Sequence, residues 1–93
     1  MTIALRKELN NLAIKQNVDH YLLTTALFPW LRDFKKEDVK TLCNAIDWIN
    51  IMSYDQGGGL WGKSATHNAP FHKIKKFVNQ WLLEGFPPEK ICL

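Results

Sequence analysis

A run of polar and aromatic residues between Asp47 and Trp61 carries the groups of this chain best suited to chemistry. It reads Asp-Trp-Ile-Asn-Ile-Met-Ser-Tyr-Asp and continues through Gln56 and three glycines to the tryptophan. The Tyr54 phenol can donate and accept hydrogen bonds, and the Asp55 carboxylate can accept them. The run therefore predicts a site in which a polar ligand is held or transformed.

The first part of this run has the pattern of a buried β-strand. Its strand-forming residues are Trp48, Ile49, Ile51 and Tyr54. Strand side chains alternate, so Asn50, Met52 and Tyr54 share one face and the two isoleucines share the other. Neither face is suited to water, which is typical of a central strand in a parallel sheet. Asp55 then falls at the carboxyl end of the strand, where α/β proteins place their chemistry.

Three helices are predicted around this strand from apolar residues at helical spacing. They run from about Thr2 to Gln16, from about Phe34 to Ile46, and from about Pro70 to a stop at Gly85. The first carries the stripe Leu5, Leu9, Leu12 and Ala13, and the last carries Phe71, Ile74, Val78, Trp81 and Leu82. Asn17 is a candidate stop for the first helix, and Asp33 and Asn68 are candidate N-caps of the other two.

Two further strands complete the pattern, from His20 to Leu27 and from Glu89 to Leu93. Each strand is joined to the next through a helix, which predicts two right-handed βαβ crossovers and three parallel strands. Both edges of such a sheet would be unpaired. The fold class is therefore α/β, and the chain has the pattern of a slice of a larger sheet.

Composition excludes several other classes of protein. The chain has 93 residues, 46% of them hydrophobic and 23% charged, with a net charge of +3, which is ordinary for a globular protein. The lysines at 73, 75 and 76 are interpreted as the solvated face of a helix, so no nucleic-acid partner is expected. No apolar run approaches the roughly 20 residues of a membrane span, and the first residues lack the apolar core of a signal peptide.

The cysteines and histidines do not predict a metal site. Cys43 and Cys92 have no short spacing, and both are expected to be buried, reduced packing residues; the redox compartment stays open. His67 and His72 match no zinc motif, so a structural role at the start of a helix is favoured. The three glycines do not run directly into a helix, which argues against a phosphate loop. No cofactor or metal is expected.

The run from Asp47 to Asp55 resembles the sixth-strand signature of glycoside hydrolase family 18, the chitinases and chitinase-like proteins. A glycine loop with Trp61 and the segment Thr-His-Asn-Ala-Pro-Phe from Thr66 to Phe71 follow it in the order typical of that family. The resemblance covers residues 1–93, from about the fourth helix to the start of the seventh strand of a (β/α)8 TIM barrel. It implies one partial barrel domain, since a complete barrel needs roughly 250 residues.

The chain departs from the family pattern in three places. The loop before Trp61 is one residue longer than usual, and Thr66 replaces the usual glycine. The Asp-x-x-Asp-x-Asp-x-Glu motif, whose glutamate is the family's general acid, does not occur in these residues. The isolated chain is therefore predicted to be inactive as a hydrolase.

The resemblance implies substrate-assisted retaining catalysis, in which the acetamido oxygen of the sugar attacks the anomeric carbon. Tyr54 would hydrogen-bond the acetamido carbonyl, and Asp55 would accept hydrogen bonds from sugar hydroxyl groups. The alternatives are a buried core tyrosine and a strand-end turn aspartate.

Four further residues are implied as substrate-binding residues: Met52, Asn50, Trp61 and Trp30. Met52 would line the floor beneath the sugar, although plain packing is common for methionine. Asn50 would belong to the polar network inside the barrel. Trp61 would stack on a sugar face, and Trp30, just past the preceding strand, would offer another surface.

Three functions are consistent with this pattern. The first is the middle part of a chitinase whose intact parent binds and hydrolyses chitin, the β-1,4-linked polymer of N-acetylglucosamine. The second is a non-catalytic chitinase-like lectin, and the third is a self-standing α/β protein-interaction module. The resemblance implies an extracellular protein and the need for the remainder of the barrel for a stable fold.

Overall fold

A computed structural model of the chain describes residues 1–31, 34–56 and 66–93. Three α-helices and three strands alternate along these described residues. They are α1 (Thr2–Gln16), β1 (Thr24–Leu27), α2 (Lys36–Ala45), β2 (Trp48–Ile51), α3 (Phe71–Leu83) and β3 (Ile91–Cys92), with a 3-10 turn at Pro88–Lys90 before the last strand. The predicted α/β class and element order are confirmed.

The sheet is parallel throughout and has the order β1-β2-β3. Thr25 pairs with Ile49, which in turn pairs with Ile91, so β2 lies in the centre as its two apolar faces predict. Ile49 and Ile51 are 0% and 3% exposed, while the alternate positions of the strand are half-buried. The better-buried face of β2 is therefore the one that meets the helices.

Strand β2 is shorter than predicted, and the prediction that Tyr54 lies in it is wrong. The last ladder hydrogen bond runs from the Met52 N–H to the Leu27 carbonyl at 2.9 Å. The Ser53 N–H then bonds the carbonyl of Ile51 at 2.8 Å, which turns the chain out of the sheet. Tyr54 and Asp55 consequently lie on a loop at the strand end.

The hydrophobic core lies between β2, α2 and α3. Its buried members are Val39, Ile46, Ile49, Ile51, Trp81 and Phe86. Trp81 is 0% exposed and makes an edge-on contact with Phe86 at 5.5 Å and a tilted contact with Phe34 at 5.8 Å. These aromatic contacts fix α3 against the sheet.

Helix α1 has the predicted bounds, but its predicted buried stripe is mostly exposed. Ala13 is buried, whereas Leu5 and Leu12 are 48% and 39% exposed. Helix α1 packs against α2 and is joined to the start of the sheet through Arg6, while its outer apolar side is in contact with solvent. The predicted stop is confirmed, because Asn17 adopts the left-handed conformation with φ 54° and ψ 44°.

The predicted stripe of α3 is also only partly buried. Trp81 is enclosed, but Phe71 is 78% exposed and Leu82 is 37% exposed. The helix ends as predicted, since Gly85 has φ +90°, a conformation that favours glycine.

The helix starts differ from the prediction. The N-cap of α2 is Lys35, whose backbone N–H donates to Asp38 Oδ2 at 3.0 Å; Asp33 lies outside the described residues. The N-cap of α3 is Pro70, and Asn68 is not a cap. The carbonyl and side chain of Asn68 are used elsewhere, at the loop that follows β2.

The prediction that both cysteines are buried is wrong for Cys92. Cys43 is half-buried, whereas Cys92 is exposed because β3 lies at the edge of the sheet; both are free thiols. The neighbouring Lys90 ties this edge to α2, because its Nζ donates to the carbonyls of Cys43 and Ile46 at 2.8 Å each. A cation at the carboxyl end of a helix satisfies carbonyls that the helix leaves unpaired.

Within the described ranges, no helix is long and apolar enough to cross a membrane. The same residues contain no group of three or more histidine, cysteine, aspartate or glutamate side chains that could hold a metal ion.

Candidate functional site

An open cleft of about 460 Å³ lies at the carboxyl ends of β1 and β2. It is lined by Phe28, Trp30, Met52, Tyr54, Asp55 and Gln56. The chain continues from both strands at the same edge of the sheet, because the strands are parallel. A second depression, of about 500 Å³, is lined by residues of α2 and the end of α3 on the outer helical surface, away from the strand ends.

The polar side of the cleft is a turn held by several hydrogen bonds. Asp55 has φ 56°, an uncommon conformation for a residue with a side chain. Its N–H donates to Asn68 Oδ1 at 3.2 Å, and the Gln56 N–H donates to the Asn68 carbonyl at 2.8 Å. Lys73 Nζ donates to the Gln56 carbonyl at 2.9 Å, so the start of α3 fixes the turn from its far side.

Tyr54 and Asp55 present their side chains to solvent at this turn. Tyr54 is 51% exposed, so the alternative of a buried core tyrosine is wrong. Gln56 Nε2 donates to the Tyr54 carbonyl at 2.8 Å, and this bond stabilises the backbone from Tyr54 to Gln56. A phenol and a carboxylate, both able to take part in hydrogen bonds, thus stand next to each other on the exposed side of the turn.

The aromatic side of the cleft is formed by Phe28 and Trp30. Their rings stack with centroids 5.2 Å apart and an interplanar angle of 9°. The edge of Phe77 on α3 contacts Trp30 at 6.5 Å with an angle of 66°. Phe28 and Trp30 are called the aromatic wall below. Between them, the Pro29 carbonyl accepts a 3.1 Å hydrogen bond from the buried indole N–H of Trp81. A flat apolar wall therefore faces the polar turn.

A separate polar network lies at the opposite, amino-terminal end of β2. Asp47 Oδ2 accepts hydrogen bonds from the Leu23 N–H at 2.7 Å and from Arg6 at 3.2 Å, and Oδ1 lies 2.6 Å from His20 Nε2. Arg6 also donates to the Tyr21 carbonyl at 2.6 Å. This network joins α1 to the sheet and explains why β1 begins at Thr24 and not at the predicted His20.

Burial raises the pKa of the Asp47 carboxyl, but the Leu23 N–H, His20 and Arg6 lower it by more. The pKa of this group therefore lies below its ordinary value of 3.8. The carboxylate is charged at neutral pH and acts as a structural tie at the end of the sheet away from the cleft.

The structure brings together four of the six predicted site residues: Trp30, Met52, Tyr54 and Asp55. Asn50 lies within β2 and makes a long, 3.5 Å hydrogen bond to the Thr25 carbonyl, apart from the cleft lining. Trp61 lies outside the described residues.

Two lining residues, Phe28 and Gln56, were missed from sequence. Phe28 could have been found, because it directly follows β1 and shares a face with Trp30 two positions on. Gln56 carries no sequence signal of its own, since its place depends on the turn at Asp55.

Parallel strands joined through helices, with a polar and aromatic cleft at their carboxyl ends, are the arrangement of a segment of an α/β barrel. The model of the family Glycosyl hydrolases family 18 matches residues 2–93, and the chain belongs to this family. The resemblance inferred from the Asp47 to Asp55 run is confirmed.

Similar proteins include chitinases and a glycoprotein. Endochitinase 1 of Metarhizium anisopliae is 31% identical over 97% of this chain and 24% of its own length. An oviduct-specific glycoprotein of Sus scrofa is 35% identical over 63% of the chain and 12% of its own length. A family 18 chitinase of Cycas revoluta, solved in complex with (GlcNAc)3, has a TM-score of 0.82 at 25% identity and is covered to 29%. The chain therefore spans about a quarter of the length of these two chitinases and a smaller share of the glycoprotein.

Proposed function

We propose that this segment forms the sugar-holding side of a cleft that binds β-1,4-linked N-acetylglucosamine oligosaccharides. The observation that carries the proposal is the exposed Tyr54–Asp55 pair facing an aromatic wall across one cleft at the strand ends. An oligosaccharide of this class has apolar C–H faces and polar hydroxyl and acetamido edges. The cleft offers a surface for each.

Tyr54 takes the acetamido group in this proposal. Its phenol donates a hydrogen bond to the acetamido carbonyl and positions that oxygen to attack the anomeric carbon. Asp55 accepts hydrogen bonds from sugar hydroxyls, and Met52 lies beneath the sugar. The aromatic wall at Trp30 contacts its apolar face, and Trp61 and Asn50 remain predicted contributors.

Hydrolysis by the intact protein needs an acid to protonate the leaving oxygen. The family's acidic motif does not occur among these residues, so the acid comes from another part of a barrel. The exposed outer side of α1 fits contact with the remainder of such a barrel, and so do the outer edges of β1 and β3, which no strand of the described ranges pairs. We expect these neighbours to stabilise the fold, and we expect an extracellular setting.

A non-catalytic binding protein is the second candidate. The match to the oviduct-specific glycoprotein favours it, because that relative is described as a glycoprotein and not as a chitinase. The same cleft would hold the same sugar class in either case.

The proposal is tested in a hybrid barrel, in which this chain replaces the matching segment of the Cycas revoluta chitinase. The host supplies the neighbouring strands and the acid. Turnover of a chitin oligosaccharide is expected to fall by about 10- to 100-fold in Tyr54→Phe, because the acetamido oxygen loses the hydrogen bond that positions it for attack. Tyr21→Phe, at the other end of the sheet, is the matched control and is expected to leave turnover unchanged.

Binding is measured separately from turnover in the same hybrid. Triacetylchitotriose is expected to shift the NMR signals of the cleft residues and to leave those near Asp47 unchanged. A folded hybrid that does not bind the trisaccharide would contradict the proposal. Binding that survives with no turnover, in a hybrid whose host acid is intact, would favour the non-catalytic candidate.

A further inference from the structure

We infer that Trp81 is a positioning residue for the saccharide cleft: through its hydrogen bond to Pro29 it holds the stacked Phe28–Trp30 pair in place. The inference rests on the proposed function for its consequence in sugar binding. Its structural basis is independent of that function.

The hydrogen bond is enclosed at both ends. Trp81 is fully buried, and Pro29 is also among the most buried side chains of the chain. The indole N–H reaches the Pro29 carbonyl at 3.1 Å. A buried donor without a partner is costly, so this bond is expected to persist whenever the helix is packed.

Pro29 lies between the two wall residues, so fixing its carbonyl fixes the backbone of both. Phe28 and Trp30 stand two positions apart and point to the same side, where they stack within 9° of parallel. Proline restricts φ and cannot donate a backbone hydrogen bond, so the carbonyl is its available polar anchor. The wall is thereby held from behind by α3.

Helix α3 supports the wall at a second point. Phe77 and Trp81 are four residues apart and lie on one face of the helix. Phe77 touches the Trp30 ring edge-on at 6.5 Å, while Trp81 holds the backbone one residue earlier. Together they determine where an aromatic surface stands before a sugar arrives.

A wall positioned in advance binds more tightly, because its side chains do not need to be ordered when the ligand binds. Phe28 is 60% exposed, and its ring stacks on that of Trp30. Without the Trp81 bond, we expect the pair to lose its stacked geometry and the cleft to lose affinity.

The test compares two core variants in the 93-residue chain and, in parallel, in the hybrid barrel, so that a variant that unfolds in one is still measured in the other. Trp81→Phe removes the N–H but keeps an aromatic ring. Phe86→Leu, at a buried neighbour of Trp81, disturbs the same core without touching the hydrogen bond. Both are expected to lower the unfolding midpoint in urea.

Two readouts separate positioning from stability. The first is the set of NMR cross-relaxation signals between the Phe28 and Trp30 rings, measured without sugar. The second is the dissociation constant for triacetylchitotriose. Trp81→Phe is expected to lose the ring signals and weaken binding about fivefold, whereas Phe86→Leu retains both.

Equal losses in the two variants would overturn the inference, since they would show a general effect of the core. Ring signals that persist in Trp81→Phe would overturn it as well. Loss of the ring signals in Trp81→Phe alone, in a chain that never binds the trisaccharide, would support the positioning role and contradict the proposed function.

Discussion

The backbone N–H of Asp55 donates a 3.2 Å hydrogen bond to Oδ1 of Asn68 across the start of α3. The Asn68 carbonyl accepts a second bond, at 2.8 Å, from the next N–H along the loop. One asparagine thus holds the turn on which the carboxylate of the cleft stands. Its side chain serves the loop and not the helix N-terminus.

Asn68→Ala is expected to weaken binding of triacetylchitotriose by about 3- to 10-fold, because the loss of one hydrogen bond releases the strained turn at Asp55. Titration calorimetry on the hybrid barrel measures this. Asn79→Ala, at an exposed position on α3, is the control. Unaltered affinity in Asn68→Ala would show that the turn does not depend on this side chain.

The stabilising contribution of Asp47 is expected to be lost in acid. Its pKa is lowered in the folded state, so its contribution to stability is present above its ordinary pKa of 3.8 and is lost as the pH falls below that value. Asp47→Asn should lower the free energy of unfolding at pH 7 by about 1 to 3 kcal/mol, because a charged partner of Arg6 and Leu23 is lost.

Urea unfolding of the hybrid barrel at pH 7 and pH 3 measures both effects. The difference between the two pH values should be smaller in Asp47→Asn than in the unaltered chain. Asp19→Asn, at an exposed aspartate outside the network, is expected to keep the full difference. An unchanged acid dependence in Asp47→Asn would contradict the assignment.

Lys90 is expected to stabilise the edge of the sheet. Lys90→Met keeps much of the aliphatic chain but leaves the carbonyls of Cys43 and Ile46 without their 2.8 Å donor. A loss of about 1 to 2 kcal/mol in the free energy of unfolding is expected. Lys75→Met, on the exposed face of α3, should change it by less than about 0.5 kcal/mol. Equal effects of the two substitutions would argue against a role for these bonds.

Much of the architecture could be predicted because local patterns determine it. The bounds of α1 and the central place of β2 follow from periodicity and from two apolar strand faces. Gly85 and Asn17 end their helices by the left-handed conformation that their residue types favour. These features depend on residues close together in the chain.

The features that were missed depend on contacts between distant parts of the chain. The end of β2 at Ile51 and the exposure of Tyr54 follow from a turn that Asn68 and Lys73 hold from 13 to 17 residues away. The Trp81–Pro29 bond joins residues 52 positions apart. The buried face of α1 was overestimated because periodicity predicts an apolar stripe without showing what covers it.

Tyr54 is proposed to recognise the acetamido group of the sugar, and a comparison of two trisaccharides tests this role. Dissociation constants of the hybrid barrel are measured for triacetylchitotriose and for cellotriose, which lacks acetamido groups, with Tyr54 and with Tyr54→Phe. The substitution is expected to weaken binding of triacetylchitotriose by about 3- to 10-fold and to leave any binding of cellotriose unchanged. Equal effects on the two sugars, or none on the acetylated one, would contradict it.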